Sequence, residues 1–186
     1  MNLRSIELLM NDHRVIEKAL QLLENSVIKL QQGKNVDRKV FETLITFFKL
    51  FADRCHHGKE ESAFFPTLER LGIPKEGGPI GVMLYEHDMG RRYIKNLEDS
   101  IEKFYSGDAS ALQDIVENAY GYINLLRNHI FKEDNILFQL ATQVLDYDTD
   151  RELVEEFERI EEERIGHGKH EELIRSINDL ESILIR

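Results

Sequence analysis

Two segments of the sequence carry a histidine and a glutamate at the same spacing, four residues apart. The first is HHGKEESAFFP, residues 56–66, and the second is HIFKEDNILF, residues 129–138. A separation of four residues places both side chains on one face of a helix, one turn apart. Imidazole nitrogens and carboxylate oxygens together suit iron, manganese or zinc better than calcium or magnesium. The repeat therefore indicates a metal site.

One further histidine precedes each of these segments at a similar distance. His13 precedes His56 by 43 residues, and His87 precedes His129 by 42 residues. The midpoints of the two pairs fall in the turn-forming sequences GKN and SGD. Residues equidistant from the turn of an antiparallel helical hairpin lie side by side, here about 30 Å from the turn at a rise of about 1.5 Å per residue. All four histidines are therefore predicted to meet at one level of the fold.

The predicted metal ligands are six residues in two equivalent halves: His13, His56, Glu60, His87, His129 and Glu133. Burying each of these groups without a partner would cost roughly 2–7 kcal/mol, and bound cations would remove that cost. Four histidines and two bridging carboxylates supply bonds for a pair of ions. An oxo or hydroxo bridge would make each ion about five-coordinate, which leaves room for a small ligand.

Three other histidines are alternatives or additions to this set. The choice of His56 rests on the alignment of the two segments, and the pair His57 and Glu61 remains an alternative, although His57 falls opposite the apolar face on an α-helical wheel. His170 and His167, in the tail sequence GHGKHEEL, are further candidate ligands. A solvated turn between the tail helices is the preferred interpretation of these two histidines.

Several residues beside the predicted ligands have candidate supporting roles. Arg91 and Tyr93 are candidates for hydrogen bonds to the ligands, with a surface position as the alternative. Asp12 and Glu86 each adjoin a ligand histidine, but neighbours on a helix point in different directions, so both are predicted to face solvent. Cys55 is predicted to be a packed thiol and not a reactive one.

Helical periodicity supplies the elements that position these residues. Apolar residues recur every three or four positions in four long stretches, approximately residues 6–30, 41–52, 80–104 and 112–140. Glycine and proline mark the longest loop at about residues 72–79. We predict an all-α fold, an antiparallel up-down four-helix bundle over residues 1–145. A C-terminal helical extension over residues 146–186, in two pieces at about 151–164 and 169–184, is predicted to pack on the bundle.

Composition narrows the classes of function. The 186 residues carry a formal net charge of −11 and show no basic stripe, so no nucleic-acid partner is expected. The single cysteine excludes an internal disulfide and suits a reducing cytoplasm. The amphipathic N-terminus does not have the pattern of a signal peptide, and no apolar run is long enough for a membrane span. We expect a cytoplasmic protein without a membrane partner.

The set of histidines and glutamates resembles that of the hemerythrin-like proteins, the HHE cation-binding domain family. The segments GGPIGVMLYEHDMGRRY and HIFKEDNILF are similar to its bacterial and archaeal branch, and the likeness covers roughly residues 1–145. The resemblance implies a four-helix bundle with a non-haem di-iron centre and two bridging carboxylates, with manganese or zinc as less favoured metals. It also implies a small ligand such as dioxygen, nitric oxide or a peroxide, or a role in sensing iron.

Two positions depart from the oxygen carriers of that family. The carriers have a second histidine four residues after the third-helix ligand, where this sequence has Arg91, and an aspartate one residue further on than Glu133. The pattern is closer to the branch linked to nitric oxide, peroxide or iron repair. We expect a di-iron protein that binds or reacts with a small oxidant or diatomic, served by an unidentified redox partner. A non-catalytic iron store, donor or sensor is the alternative, and the absence of His-Glu-x-x-His disfavours a zinc hydrolase.

Overall fold

The computed structural model describes residues 3–184, and most of them are helical. The α-helices of this part of the chain are α1 (Arg4–Gln31), α2 (Arg38–Phe47), α3 (Phe65–Arg70), α4 (Pro79–Tyr105), α5 (Ala111–Lys132), α6 (Phe138–Val144), α7 (Tyr147–Arg164) and α8 (Lys169–Leu184). Three π-helical segments lie among them, π1 (Phe48–His57), π2 (Glu60–Phe64) and π3 (Glu133–Leu137). The predicted all-α fold, a bundle with extra C-terminal helices, is confirmed.

Four helical columns build the bundle. α1 and α4 are the first and third columns. The second column runs through α2, π1, π2 and α3 without a break, and the fourth runs through α5, π3 and α6. α4 packs most extensively against α5, which also packs against α1. These contacts bring the four predicted apolar stretches together in one bundle.

Local sequence signals explain where the columns begin and end. Asp37 caps α2 by accepting a hydrogen bond from the backbone N–H of Lys39. Gly33 follows α1 with a φ of 71°, a conformation that favours glycine. Pro79 is the first residue of α4, where a missing N–H has no helical partner to lose.

The buried apolar residues form two clusters separated by a polar layer. One cluster includes Leu23, Phe41 and Ile123 and lies towards the turns after α1 and α4. The other includes Leu9 and Phe64 and lies at the opposite end. Along the first three columns, the predicted metal ligands occur between the residues of the two clusters. In the fourth column Glu133 does so, while His129 adjoins Ile130, the last residue of the first cluster there. The polar layer is therefore enclosed above and below by hydrophobic core.

α7 and α8 pack onto α1 and the second column. α7 buries Leu153, Phe157 and Ile160 in the second cluster. α8 buries a similar stripe, Leu173, Ile177 and Leu180, in the first cluster. Each such side chain stabilises the fold by about 1.5–3 kcal/mol when fully buried. The C-terminal helices therefore cover the side of the bundle on which α1 meets π1. Across residues 3–184, no helix combines the length and the hydrophobicity that a membrane span requires.

Candidate metal centre

The structure brings the six sequence-predicted ligands together and adds a seventh side chain, that of His57. The seven are at most 4% exposed. Their donor atoms form two groups, each within 4.8 Å: His13, His56, Glu60 and Glu133 in one, and His57, His87, His129 and Glu60 in the other. We call these the two-histidine site and the three-histidine site. Glu133 also approaches the second of them, since its Oε2 lies 3.4 Å from Nε2 of His129.

The histidines of each site present their Nε2 atoms to a common point. Nε2 of His87 lies 3.1 Å from Nε2 of His129, and the same distance separates His13 from His56. Two ligands at right angles on an ion with bonds of about 2.1 Å, as for zinc, would lie about 3.0 Å apart. The spacing of both pairs therefore fits ligation of one ion by each pair.

Unpartnered polar atoms concentrate in this centre. Among the described residues, five buried side-chain atoms lack a hydrogen-bond partner: Nε2 of His57 and both carboxylate oxygens of Glu60 and of Glu133. Nε2 of His13 lies 3.1 Å from one oxygen of Glu133, close enough for an ion pair but out of line for a hydrogen bond. A buried polar atom without a partner costs about 1–3 kcal/mol. Cations between the two carboxylates would satisfy all five atoms, so the residues fit a metal pair.

Each imidazole of the centre has a carboxylate beside its outer nitrogen, Nδ1. The pairs are His13 with Asp134 (2.7 Å), His56 with Asp12 (3.3 Å), His57 with Asp53 (3.4 Å), His87 with Glu61 (2.7 Å) and His129 with Glu86 (2.9 Å). When Nδ1–H donates to a carboxylate, Nε2 is left free to bind a metal, and the ring is held in orientation. Five such pairs in one layer are typical of a metal centre.

The prediction that Asp12 and Glu86 face solvent is wrong. Asp12 is only 5% exposed, and Glu86 is partly buried. Each points away from the histidine that follows it in sequence, as expected for helix neighbours. This direction aims it at the neighbouring column, where Asp12 meets His56 and Glu86 meets His129. The sequence argument considered only the adjacent histidine and therefore missed the partner across the hairpin.

The two halves of the centre repeat further contacts. Lys59 forms an ion pair with Asp12, and Lys132 forms the equivalent pair with Glu86. The ring of Phe138 stacks on His13 with centroids 5.6 Å apart, and Phe65 stacks on His87 at 5.9 Å. Each phenylalanine follows its glutamate by five residues. The similarity seen between the sequence segments therefore extends to the surroundings of the ligands.

His57 has no histidine counterpart, because the matching position in the second segment is Ile130. It faces the centre together with His56 because both residues lie at the end of π1. A π-helix closes i→i+5 hydrogen bonds and holds more residues per turn than an α-helix, so consecutive side chains span a smaller angle. The helical wheel that placed His57 opposite the apolar face assumed α-helical geometry, which does not apply to π1. The alternative ligand Glu61 instead lies outside the centre, as the partner of His87.

Arg91 occupies the position at which the oxygen carriers have a further ligand, and it contacts two of the outer carboxylates. Its Nε donates to Asp53 at 2.8 Å, and its Nη2 donates to Glu61 at 2.6 Å. These carboxylates hold His57 and His87, so Arg91 supports two imidazoles of the three-histidine site. Tyr93 instead packs against Gly121, where an added Cβ would lie 2.4 Å from its ring.

In the metal-free centre, burial and neighbouring charges shift the pKa values of the candidate ligands in different directions. Burial lowers the pKa of His56 to about 3 and holds the pKa of His87 well below its usual value. Burial would also lower the pKa of His13, but Asp134 and Glu133 raise it to about 9. Burial and the charge of Glu133 raise the pKa of Glu60. Without metal, the centre therefore retains a proton on His13 at neutral pH and favours the protonated form of Glu60 more than a free carboxyl group would, and cations would compete with these protons.

The two tail histidines lie outside the ligand groups of the centre. His167 is exposed. His170 is partly buried, and its Nε2 lies 3.1 Å from Oδ1 of Asp12. Cys55, Glu161 and His170 form a third cluster of donor atoms, but the Lys59 ammonium, 3.0 Å from Glu161, already supplies a positive charge there. Burial raises the pKa of Cys55 to about 12, in keeping with a packed thiol.

Comparison with known proteins agrees with this site. Residues 4–141 match the family model described as the hemerythrin HHE cation binding domain. Similar proteins include an uncharacterized protein of Mycobacterium tuberculosis (strain ATCC 25618 / H37Rv) and one of Mycobacterium bovis (strain ATCC BAA-935 / AF2122/97). Each is 23% identical over 176 residues, which cover 95% of this chain and 68% of the relative. Because the family model matches most of the sequence and the buried histidines and glutamates fit metal cations, the chain belongs to the hemerythrin HHE cation-binding domain family.

Proposed function

We propose that the centre holds two iron ions and binds or reacts with a small oxidant or diatomic, such as dioxygen, nitric oxide or a peroxide. The observation that carries this proposal is the unequal number of histidines at the two sites. If Glu60, Glu133 and one further oxygen were shared by the two ions, the three-histidine site would offer about six ligands and the two-histidine site about five. The remaining position, beside His13 and His56, is the one we assign to the small ligand.

The donor set favours iron or manganese over zinc. Structural zinc sites are almost always four-coordinate and tetrahedral. The three-histidine site offers three imidazoles and a shared carboxylate, and Glu133 approaches it as well. Mixed nitrogen and oxygen ligation at higher coordination numbers, with an open position, suits a redox-active ion such as iron. We propose iron on this ground and on the ground of family membership.

The protein residues would control access and charge at the open position. A bound iron pair would supply electrons and a coordination position. Phe138 covers one face of His13, and the hydrophobic clusters enclose the polar layer, so bulk water has little access. Asp134 accepts a hydrogen bond from Nδ1 of His13, which keeps Nε2 directed inward. Glu60 and Glu133 would offset part of the charge of the two cations.

The same features favour a reactive centre over an iron store or donor. A store must release its metal, whereas these ligands are at most 4% exposed. Carboxylates also fix all five imidazoles, which strengthens metal retention. A centre with firmly held ligands and one open position suits repeated binding of a small molecule.

Metal analysis combined with optical spectroscopy tests the proposal. Purified protein loaded with iron should contain two irons per chain and show charge-transfer bands. These bands should change on addition of azide, nitric oxide, dioxygen or peroxide. Two firmly bound irons without a response to any of these ligands would instead support a storage or sensing role. Failure to bind two irons would refute the di-iron proposal.

A further inference from the structure

We propose that His170, from the C-terminal helices, is a positioning residue for the two-histidine site: it holds the carboxylate of Asp12, which in turn orients the imidazole of His56. The inference rests on the proposed function, because it concerns the ion that we assign to His13 and His56. It gives α7 and α8 a role in the metal centre, although neither helix contributes a residue to the two sites.

The two oxygens of Asp12 have separate partners. Oδ1 lies 3.1 Å from Nε2 of His170. Oδ2 lies 3.3 Å from Nδ1 of His56 and 3.2 Å from Nζ of Lys59. A hydrogen bond to Oδ1 therefore fixes the rotation of the carboxylate about its χ2 torsion. This rotation decides whether Oδ2 points at His56.

The other half of the centre shows why this support matters. There Glu86 accepts from Nδ1 of His129 at 2.9 Å and pairs with Lys132. Asp12 is one methylene shorter than Glu86, and its hydrogen bond to His56 is longer, at 3.3 Å. This distance lies just beyond the usual range of about 2.7–3.2 Å for an N–H···O hydrogen bond, so the bond has little tolerance for a further misdirection of its acceptor. Asp12 is therefore the outer carboxylate that depends more on a third partner.

The C-terminal helices hold His170 in a fixed position. The turn between α7 and α8 contains Gly166 and Gly168, both with positive φ, and returns the chain towards the bundle. Glu161 near the end of α7 pairs with Lys59, which also pairs with Asp12, so the two C-terminal helices contact the two partners of one buried ion pair. The ring of His170 stacks on Phe51, with centroids 4.8 Å apart. Packing and hydrogen bonding together orient the imidazole towards Asp12.

The test replaces His170 and measures how firmly each iron is held. His170→Phe keeps a ring to stack on Phe51 but removes the donor. His170→Gln keeps a donor close to the position of Nε2. His167→Phe makes the same change at the exposed histidine of the same turn and serves as the control. His170→Ala, which also lacks the donor, provides a second variant without a bulky ring.

We expect His170→Phe and His170→Ala to bind the iron of the two-histidine site more weakly in competition with a chelator, and to leave the other iron unchanged. The loss should reach at most about 10–100-fold, the range for losing the hydrogen-bond partner of a ligand, because His170 acts on the ligand through Asp12. His170→Gln and the His167 control should retain both irons like the wild type. If His170→Phe and His170→Ala held both irons as firmly as the wild type does, the inference would be overturned. Equal weakening of both irons would also overturn it, because that result indicates only a general loss of packing. If the wild type itself does not hold two irons, the proposed function fails instead.

Discussion

The imidazole of His57 lies parallel to that of His87, with ring centroids 3.8 Å apart and an angle of 13° between the planes. Asp53 contacts Nδ1 of His57, while Nε2 has no hydrogen-bond partner and faces the centre. His57 is therefore arranged like the other four imidazoles. It makes the two sites chemically different, because its counterpart in the second sequence segment is Ile130.

Replacement of His57 by leucine should weaken one ion selectively. An outer partner of a ligand is worth about 10–100-fold in metal affinity, so loss of the ligand itself should exceed that range. The ion at the three-histidine site should be lost first during dialysis against increasing chelator, with the other retained. Ile130→Val, a conservative change at the equivalent position, is the matched control. Full retention of both ions by His57→Leu would show that His57 is not a ligand.

The outer carboxylates allow each site to be weakened separately. Asp134 contacts Nδ1 of His13, and Glu61 contacts Nδ1 of His87, each at 2.7 Å. Asp134→Asn should therefore lower affinity at the two-histidine site and Glu61→Gln at the three-histidine site, by about 10–100-fold each. Chelator competition followed by spectroscopy distinguishes which ion leaves. If both variants lost the same ion, the assignment of these carboxylates to different sites would be wrong.

The fold was accessible from the sequence because each helix carries a long and regular apolar stripe. The turns at Gly33 and Gly107 lie near the midpoints of the histidine pairs, and both have the positive φ expected of a glycine turn. Pairing about these turns was therefore enough to bring His13 near His56 and His87 near His129. This part of the argument needed only the helical rise and the positions of the turns.

The full set of residues in the centre was harder to predict from the sequence, because it depends on local departures from the α-helix and on contacts between columns. His57 faces the centre because it lies in π1, and no residue pattern in that segment predicts a π-helix. Asp12 and Glu86 act on histidines of a neighbouring column, so their roles depend on how the columns pack. His170 reaches Asp12 only through the packing of α8, although the two residues lie 158 positions apart.

The metal-free protein should lose stability as the pH rises from about 6.5 to 9. Burial opposes protonation of His13, but Asp134 and Glu133 raise its pKa from 6.5 to about 9. The raised pKa stabilises the fold fully below pH 6.5, and this contribution is lost as the pH approaches 9. The slope should be about 1 kcal/mol per pH unit in the free energy of unfolding. Urea unfolding of the metal-free protein across this range measures it.

His13→Asn supplies the control for this pH dependence. Asparagine retains a donor for Asp134 but does not titrate, so the part of the slope that His13 contributes should be absent. Any slope that remains belongs to other groups such as Glu60, whose pKa is also raised. The buried His56, with a pKa lowered to about 3, is neutral in the folded protein, and in the unfolded chain it gains a proton only as the pH falls towards 6.5. Its contribution, of opposite sign to that of His13, is therefore confined to the lower end of this range. An unchanged slope in His13→Asn would assign the titration to another group.

Glu60→Gln should separate the stability of the fold from metal binding. Burial and the charge of Glu133 raise the pKa of Glu60, which favours the neutral form of its carboxyl group in the metal-free protein. A neutral amide of the same shape should therefore change the free energy of unfolding by less than about 1 kcal/mol. Glu133→Gln removes the ionised partner of His13 and should destabilise the metal-free protein by about 1–3 kcal/mol.

Bound iron should raise the melting temperature of the wild type, since a ligand at 100 times its Kd adds about 2.7 kcal/mol. Neither variant should gain this increase, because each has lost one of the carboxylates that we propose to be shared by the two ions. A full iron-dependent increase in Glu60→Gln would contradict the bridging role of Glu60.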